Sequence, residues 1–362
     1  MPTPTIPAGN LFMNATLWTG NNGTASITNG VAGQSFQPDF VWVKNRTNAY
    51  THLLYDSVRG VGTLKAMSSS ETNAEGNMSD NSTFGYLSAL NSNGFTVVSG
   101  STANSYTNSS GNNYVGWQWK AGGAATTITV GSVSPGVPSI ASSVSANTTS
   151  GFSVVTYTGT GSLSTVGHGL GVTPSMIIVK RINSTGDWAV YNSNLSGGAN
   201  NQLLLNSTAQ APGSSSFWGN SPNSTTFSVW TSSTTNASGG TFVAYCWAAI
   251  AGYSAFGSYT GNGSTDGPFI YTGFRPRFVM FKRTDTTANW TIRDTARNPY
   301  NSANLGLFPN RSDAEDSTAG RDVDILSNGF KIRGTDSDLN TNGGTYIYMA
   351  FCENPLKYAN AC

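Results

Sequence analysis

Two histidines, His52 and His168, are the only side chains of this 362-residue chain that ordinarily titrate near neutral pH. A general base must stand within hydrogen-bond reach of a substrate proton, which requires a site rather than a lone imidazole. His52 occupies a position that two later copies of the same motif fill with Trp188 and Trp290, so a packed histidine is expected. His168 lies in Gly167-His-Gly-Leu-Gly171, and a glycine turn that binds phosphate opens a helix, whereas a strand pattern follows here. Asp56 with Arg59 and Asp294 with Arg297 share one spacing, while the matching stretch holds Asn192 and Leu195. A catalytic dyad would then be missing from one copy. A turn-capping Asp beside an Arg is expected instead, contributing little if exposed.

No pair of carboxylates recurs at equivalent positions, so the acid and nucleophile of glycoside hydrolysis are not visible. Asp336, Asp338 and Asn340 place oxygens at alternate positions, as a calcium loop does. Thr341 stands where that loop needs glycine and no closing Glu follows, so a polar loop is expected. Phe217 and Trp218 have no counterparts in the other copies. They are candidates for stacking on a sugar ring, for a protein interface, or for covering the edge of their own unit. Cys246, Cys352 and Cys362 make neither a disulfide framework nor a CxxC pair, and buried thiols in closing strands are expected for the first two. The expectation is therefore no enzyme, no cofactor and no resident metal.

These residues hang on a repeat. Pro38-Asp-Phe-Val-Trp-Val-Lys44 returns as Pro174-Ser-Met-Ile-Ile-Val-Lys180 and Pro276-Arg-Phe-Val-Met-Phe-Lys282. His52, Trp188 and Trp290 follow at one spacing, then Asp56, Asn192 and Asp294, then Arg59, Leu195 and Arg297. Trp18-Thr-Gly20, Tyr157-Thr-Gly159 and Tyr259-Thr-Gly261 precede the blocks; Phe95, Phe227 and Phe330 and an apolar closing strand follow each. One unit of roughly a hundred residues written three times is the direct reading.

Within a unit the run after the proline is apolar on both faces, as a central strand must be. The closing runs Tyr114–Trp119, Phe242–Trp247 and Tyr346–Phe351 show the same two-sided pattern. Helical spacing with caps is almost absent. Short strands between turn signals predict an all-β chain of three tandem antiparallel β-sandwiches of the jelly-roll or lectin-like kind. The expected division is an N-terminal arm over 1–13, repeats over 14–122, 150–252 and 253–362, and a Gly/Ser/Thr/Pro linker over 123–149. In that linker Thr126–Val130 could add a strand, and Pro135 and Pro138 suit an extended connector.

Charge is scarce and uneven. Residues 253–362 hold 11 of the 18 Lys and Arg and 11 of the 17 Asp and Glu, while residues 150–252 hold only Lys180, Arg181 and Asp187. A net charge of +1 leaves no basic stripe for nucleic acid. No run is long and apolar enough for a membrane span, and the first residues lack a signal peptide's basic and apolar regions. Asn-x-Ser/Thr triplets, as at Asn14, Asn45, Asn81, Asn147 and Asn262, reflect the abundance of Asn, Ser and Thr.

The phrases Gly151-Phe-Ser-Val-Val-Thr-Tyr-Thr-Gly159, Gly167-His-Gly-Leu-Gly-Val-Thr-Pro174, Phe256-Gly-Ser-Tyr-Thr-Gly-Asn-Gly263 and Gly344-Thr-Tyr-Ile-Tyr-Met-Ala-Phe351 resemble a repeat domain of tailed-phage virion proteins. That domain is common in marine and cyanobacterial phages and is compared with concanavalin A-like lectin and glucanase sandwiches. The resemblance, from residue 14 onward, implies a structural protein of a bacteriophage virion, synthesised in the host cytoplasm. It transfers no catalytic or sugar-binding residue. A tail fibre or tail appendage is expected, with other virion proteins and further copies of itself as partners and host-surface glycan as a candidate ligand. A head decoration protein is the alternative of the same class, and a tailspike-like glycan depolymerase that of another. Only thirteen residues precede the first unit, so docking through a repeat face or the short arm is expected.

Overall fold

The computed structural model describes residues 6, 9–30, 34–77, 82–102, 106–134, 136–213 and 216–352. Most of the expected N-terminal arm, Asn81, Pro135 and Cys362 lie outside the described residues. The all-β expectation holds: antiparallel sheets carry the chain, with one four-residue helix, Ser233–Asn236, among the described residues.

A large sheet forms from each of the three sequence segments, always in the same strand order. In the first it runs Met13–Thr19, Asn113–Trp119, Phe40–Asn45, Leu53–Asp56. In the third it runs Ser254–Thr260, Thr345–Cys352, Pro276–Arg283, Trp290–Asp294. The second repeats the order with Phe152–Thr158, Thr241–Trp247, Met176–Arg181 and Trp188–Asn192. Its sheet is extended at one edge by Leu203–Leu204 and at the other by Ser142–Asn147 and Thr126–Ile128. The connector between the first two segments thus supplies two strands to the second sheet.

Register agrees residue for residue. Trp42 lies between Trp117 and Leu54, Ile178 between Tyr245 and Val190, and Met280 between Met349 and Ile292. A smaller sheet covers one face of each large one: Thr24–Thr28, Gly94–Val98 and Tyr86–Asn91; Ser164–Gly167 and Thr226–Val229; Phe269–Tyr271, Gly329–Ile332 and Val323–Leu326.

The two-sided apolar strands have a simple cause. Val41 and Val43 pack with Phe95 and Val97 of the first small sheet, and Ile177 and Val179 with Phe227 and Val229 of the second. Phe281 meets Phe330 edge-on at 5.2 Å. The opposite faces pack against one another. Phe40, Trp42, Trp117 and Trp119 share one buried cluster with Met176, Ile178, Tyr245 and Trp247 and with Phe278, Met280, Met349 and Phe351. Trp119 touches Trp247, Phe278 and Phe351 at ring distances of 6.0, 5.5 and 5.6 Å. Burying a large aromatic side chain contributes roughly 2–3 kcal/mol, so this common core is a major source of cohesion.

The aromatic-Thr-Gly signals now have a reason. Trp18 stacks on Tyr114, Tyr157 on Phe242 and Tyr259 on Tyr346, each also meeting the recurrent Phe95, Phe227 or Phe330 edge-on. At the glycine a neighbouring carbonyl approaches so closely that a Cβ would stand 2.0 Å (Gly20), 2.5 Å (Gly159) or 2.3 Å (Gly261) from its oxygen. Only glycine fits there.

Candidate functional site

The recurrent ionisable residues converge on the seams between segments. Alternation turns Lys44 to the same side as Phe40 and Trp42, toward the common core. Its Nζ donates to Asn45 O at 2.7 Å and to Ser312 O of the third segment at 3.1 Å. Lys180 donates to Gly186 O and, in the first segment, Thr72 O; Lys282 donates to Ala288 O and, in the second, Thr208 O, all within 3.0 Å. The residue fourteen after the proline does the same work. Trp188 Nε1 donates to Ser68 O at 2.7 Å, Trp290 Nε1 to Leu204 O at 2.9 Å, and His52 Nε2 lies 3.0 Å from Phe308 O. Each segment is clipped to the preceding one, and the first is clipped to the third.

His52 is fully buried and both ring nitrogens are engaged: Nδ1 accepts from Trp42 Nε1 at 2.8 Å, so Nε2 carries the proton given to Phe308 O. Burial, then Lys44, hold it well below its ordinary pKa and keep it neutral. His168 shapes its turn: Nδ1 accepts from Leu170 N and Nε2 faces Asn223 O, with burial pushing it down to about 4. Neither imidazole has a nitrogen left for a substrate.

All three lysines are fully buried, and burial pushes them down, Lys44 to about 7 and Lys180 and Lys282 to about 8. An amine whose pKa falls on folding makes the unfolded chain bind more protons between the folded and unfolded values. Stability therefore rises with pH in that window. Urea unfolding at pH 7 and pH 9 is expected to show the protein more stable at pH 9, by on the order of 1 kcal/mol or more. A fall over that interval would contradict the placement of the lysines.

The Asp–Arg pairs cap turns as expected, Asp56 Oδ1 accepting from Arg59 N at 2.8 Å and Asp294 Oδ1 from Arg297 N at 2.9 Å. They are not exposed. Arg59 lies 2.6 Å from Asp56 and 3.0 Å from Glu75, and Arg297 2.5 Å from Asp294 and 3.0 Å from Glu315; both arginine side chains are buried. Across the seams Tyr245 Oη donates to Asp56 Oδ2 at 2.8 Å and Trp117 Nε1 to Asp294 Oδ2 at 3.0 Å. Burial opposes the charge on Asp294, but Arg297 and the hydrogen bonds outweigh it and hold the carboxyl below its usual value. At the remaining seam every member is neutral: Asn192, Leu195 and Ala211 stand for Asp, Arg and Glu, and Met349 for the donor.

The alternate oxygens of the third segment do not form a cage. Asp336 and Asp338 face the Arg321 guanidinium at 3.0 and 3.4 Å, and Asp316 joins them at 2.5 Å. Asp338 also accepts from Asn289 N and Nδ2, and Asn340 Nδ2 donates to Ser264 O and Gly334 O. An arginine already holds the place a cation would take. Adding 5 mM calcium, on the order of the weakest extracellular sites, is expected to leave the melting temperature unchanged; a rise reversed by chelation would contradict this arrangement.

Of the three roles expected for Trp218, the structure agrees with the cover of its own unit: it is 1% exposed and packs edge-on against Tyr191 at 5.9 Å, inside the second segment's own core, so its ring is closed to a ligand. Phe217 is partly buried beside it. The exposed tryptophan is Trp230, next to the exposed Leu163 over Gly219. Phe269 and Tyr271 on the third small sheet are exposed as well.

Among the described residues, two open clefts flank the seams. One of about 560 Å³ is lined by Gln37, Asp39, Lys120 and Asn147, with Asp39 Oδ2 accepting from Ala121 N at 2.7 Å and its carboxyl raised by burial. The other, of about 400 Å³, holds Asn14, Arg277 and Thr295, with Arg277 donating to Asn14 Oδ1 and Ala15 O. Neither lining brings two carboxylates together. Cys246 and Cys352 are buried thiols in closing strands.

Fold and site define an all-β protein whose recurrent polar residues bind its own segments to one another. The chain belongs to the family described as a domain of unknown function (DUF7483), which matches residues 8–355 in one span across all three segments. No curated protein matches the chain.

Proposed function

We propose that this chain is a non-enzymatic structural protein of a tailed-phage virion, of tail-fibre or tail-appendage type, with host-surface glycan as its ligand. In this reading it is three tandem β-sandwich repeats closed around one shared core, working beside other virion proteins and further copies of itself. The observation that carries it is the use of the recurrent Lys, Trp, Asp and Arg as buried clips between segments rather than as groups lining a cavity. Chemistry needs such groups presented to a substrate; a load-carrying particle component needs them holding its parts together. The charge-poor second segment, whose small sheet is bordered by the connector through Ser139, Ile140 and Thr165, suits contact with neighbouring virion chains.

Antibody labelling of intact particles is expected to mark the tail. Labelling of the head shell would replace this with the decoration reading, and unlabelled particles would overturn both. Incubation with host polysaccharide is expected to release no new reducing ends; their appearance would establish the depolymerase.

A further inference from the structure

The small sheet of the third segment has an outward face unlike its two counterparts. Ile27, Val166 and Ile270 share one register, each paired with the inward Phe95, Phe227 or Phe330. The outward neighbours on that edge strand are Ser26 and Thr28 in the first segment, Thr165 and Gly167 in the second, and Phe269 and Tyr271 in the third. Phe269 is 46% and Tyr271 56% exposed. In the first segment Ser26 and Thr28 stand exposed at these positions, and in the second Gly167 is buried beneath Ile128 of the connector, so the strand itself does not require the rings. Exposed aromatics on an edge strand invite aggregation, and their presence points to a ligand.

Both signs of charge flank the rings in equal number. Lys331, opposite Phe269, pairs with Asp266 at 2.6 Å, and Arg333 lies 3.4 Å from Asp324 and 3.7 Å from Asp266. Alternate strand residues stand roughly 7 Å apart on one face, so the two rings form one continuous apolar ledge. We propose that this ledge binds a neutral glycan, its C–H faces stacked on Phe269 and Tyr271. Its hydroxyls donate to Asp266 and Asp324 and accept from Lys331 and Arg333. Balanced charge disfavours a strongly ionic ligand. Two rings also fall far short of the roughly 800 Å² per partner of a stable protein interface. The inference deepens the adhesive reading above and rests on it for the ligand's source, not for the chemistry.

The test is calorimetric titration of the full chain with cellohexaose, maltohexaose and mannohexaose. At least one is expected to bind with a Kd of about 1 mM or tighter. The double variant Phe269→Ser, Tyr271→Thr, which installs the first segment's residues, should weaken it at least tenfold at unchanged melting temperature. Absence of binding to all three, or retention by the double variant, overturns the proposal. So does self-association of the wild type that the variant abolishes, since the ledge would then join two copies. A protein that labels on the particle but binds none of the three sugars sinks this inference and leaves the virion reading standing, whereas one absent from the particle sinks the virion reading.

Discussion

Replacing Arg59 with leucine is expected to lower the unfolding free energy by about 3–5 kcal/mol, because it strands a buried carboxylate. Asp56 is fully buried and its countercharge is Arg59, 2.6 Å away. The variant keeps the donors Tyr245 Oη and the Val58 and residue-59 amides but loses the cation. The informative comparison is the triple variant Asp56→Asn, Arg59→Leu, Glu75→Ala. It copies the neutral set Asn192, Leu195 and Ala211 that the chain itself uses at another seam. Exchanging a whole buried ion group for neutral residues is often close to neutral in stability, so the triple should recover at least about 2 kcal/mol of the single variant's loss. Urea titration of both measures this. A triple variant less stable than Arg59→Leu would show that the seams are not interchangeable.

Trp290→Ala is expected to be comparably damaging, at about 3–5 kcal/mol. The ring is 1% exposed, its Nε1 donates to Leu204 O across a seam, and it borders Met176, Met280 and Met349 in the common core. Three flexible methionine-lined neighbours can only partly collapse into the space left. A loss under about 1 kcal/mol would return this tryptophan to the surface.

The central strands were legible because alternation reports burial of each face directly: Trp42 and Val43 are apolar on opposite sides and both are buried. Alternation does not say what covers a face. The sequence reading gave both to separate sandwiches, whereas the Trp42 face meets the other segments' large sheets. The Asp–Arg spacing is visible in the sequence, but exposure is a tertiary property, so the spacing alone does not give the weight of the pairs. A signal was present in the first two segments: Ala211, at the same spacing from its proline as Glu75, departs from it together with Asn192 and Leu195, and three linked replacements imply a shared buried site. Trp218 drew attention by lying outside the repeat, yet absence from a repeat says nothing about burial. Trp230 follows the strand Thr226–Val229, whose inward residues are Phe227 and Val229, so alternation already places it outward.

The central claim is that the segments share one core and stand or fall together. Differential scanning calorimetry of the full chain tests it most directly. One transition is predicted, with calorimetric and van't Hoff enthalpies equal within error. Three separable transitions, each with about a third of the total enthalpy, would mean independent beads and would contradict it.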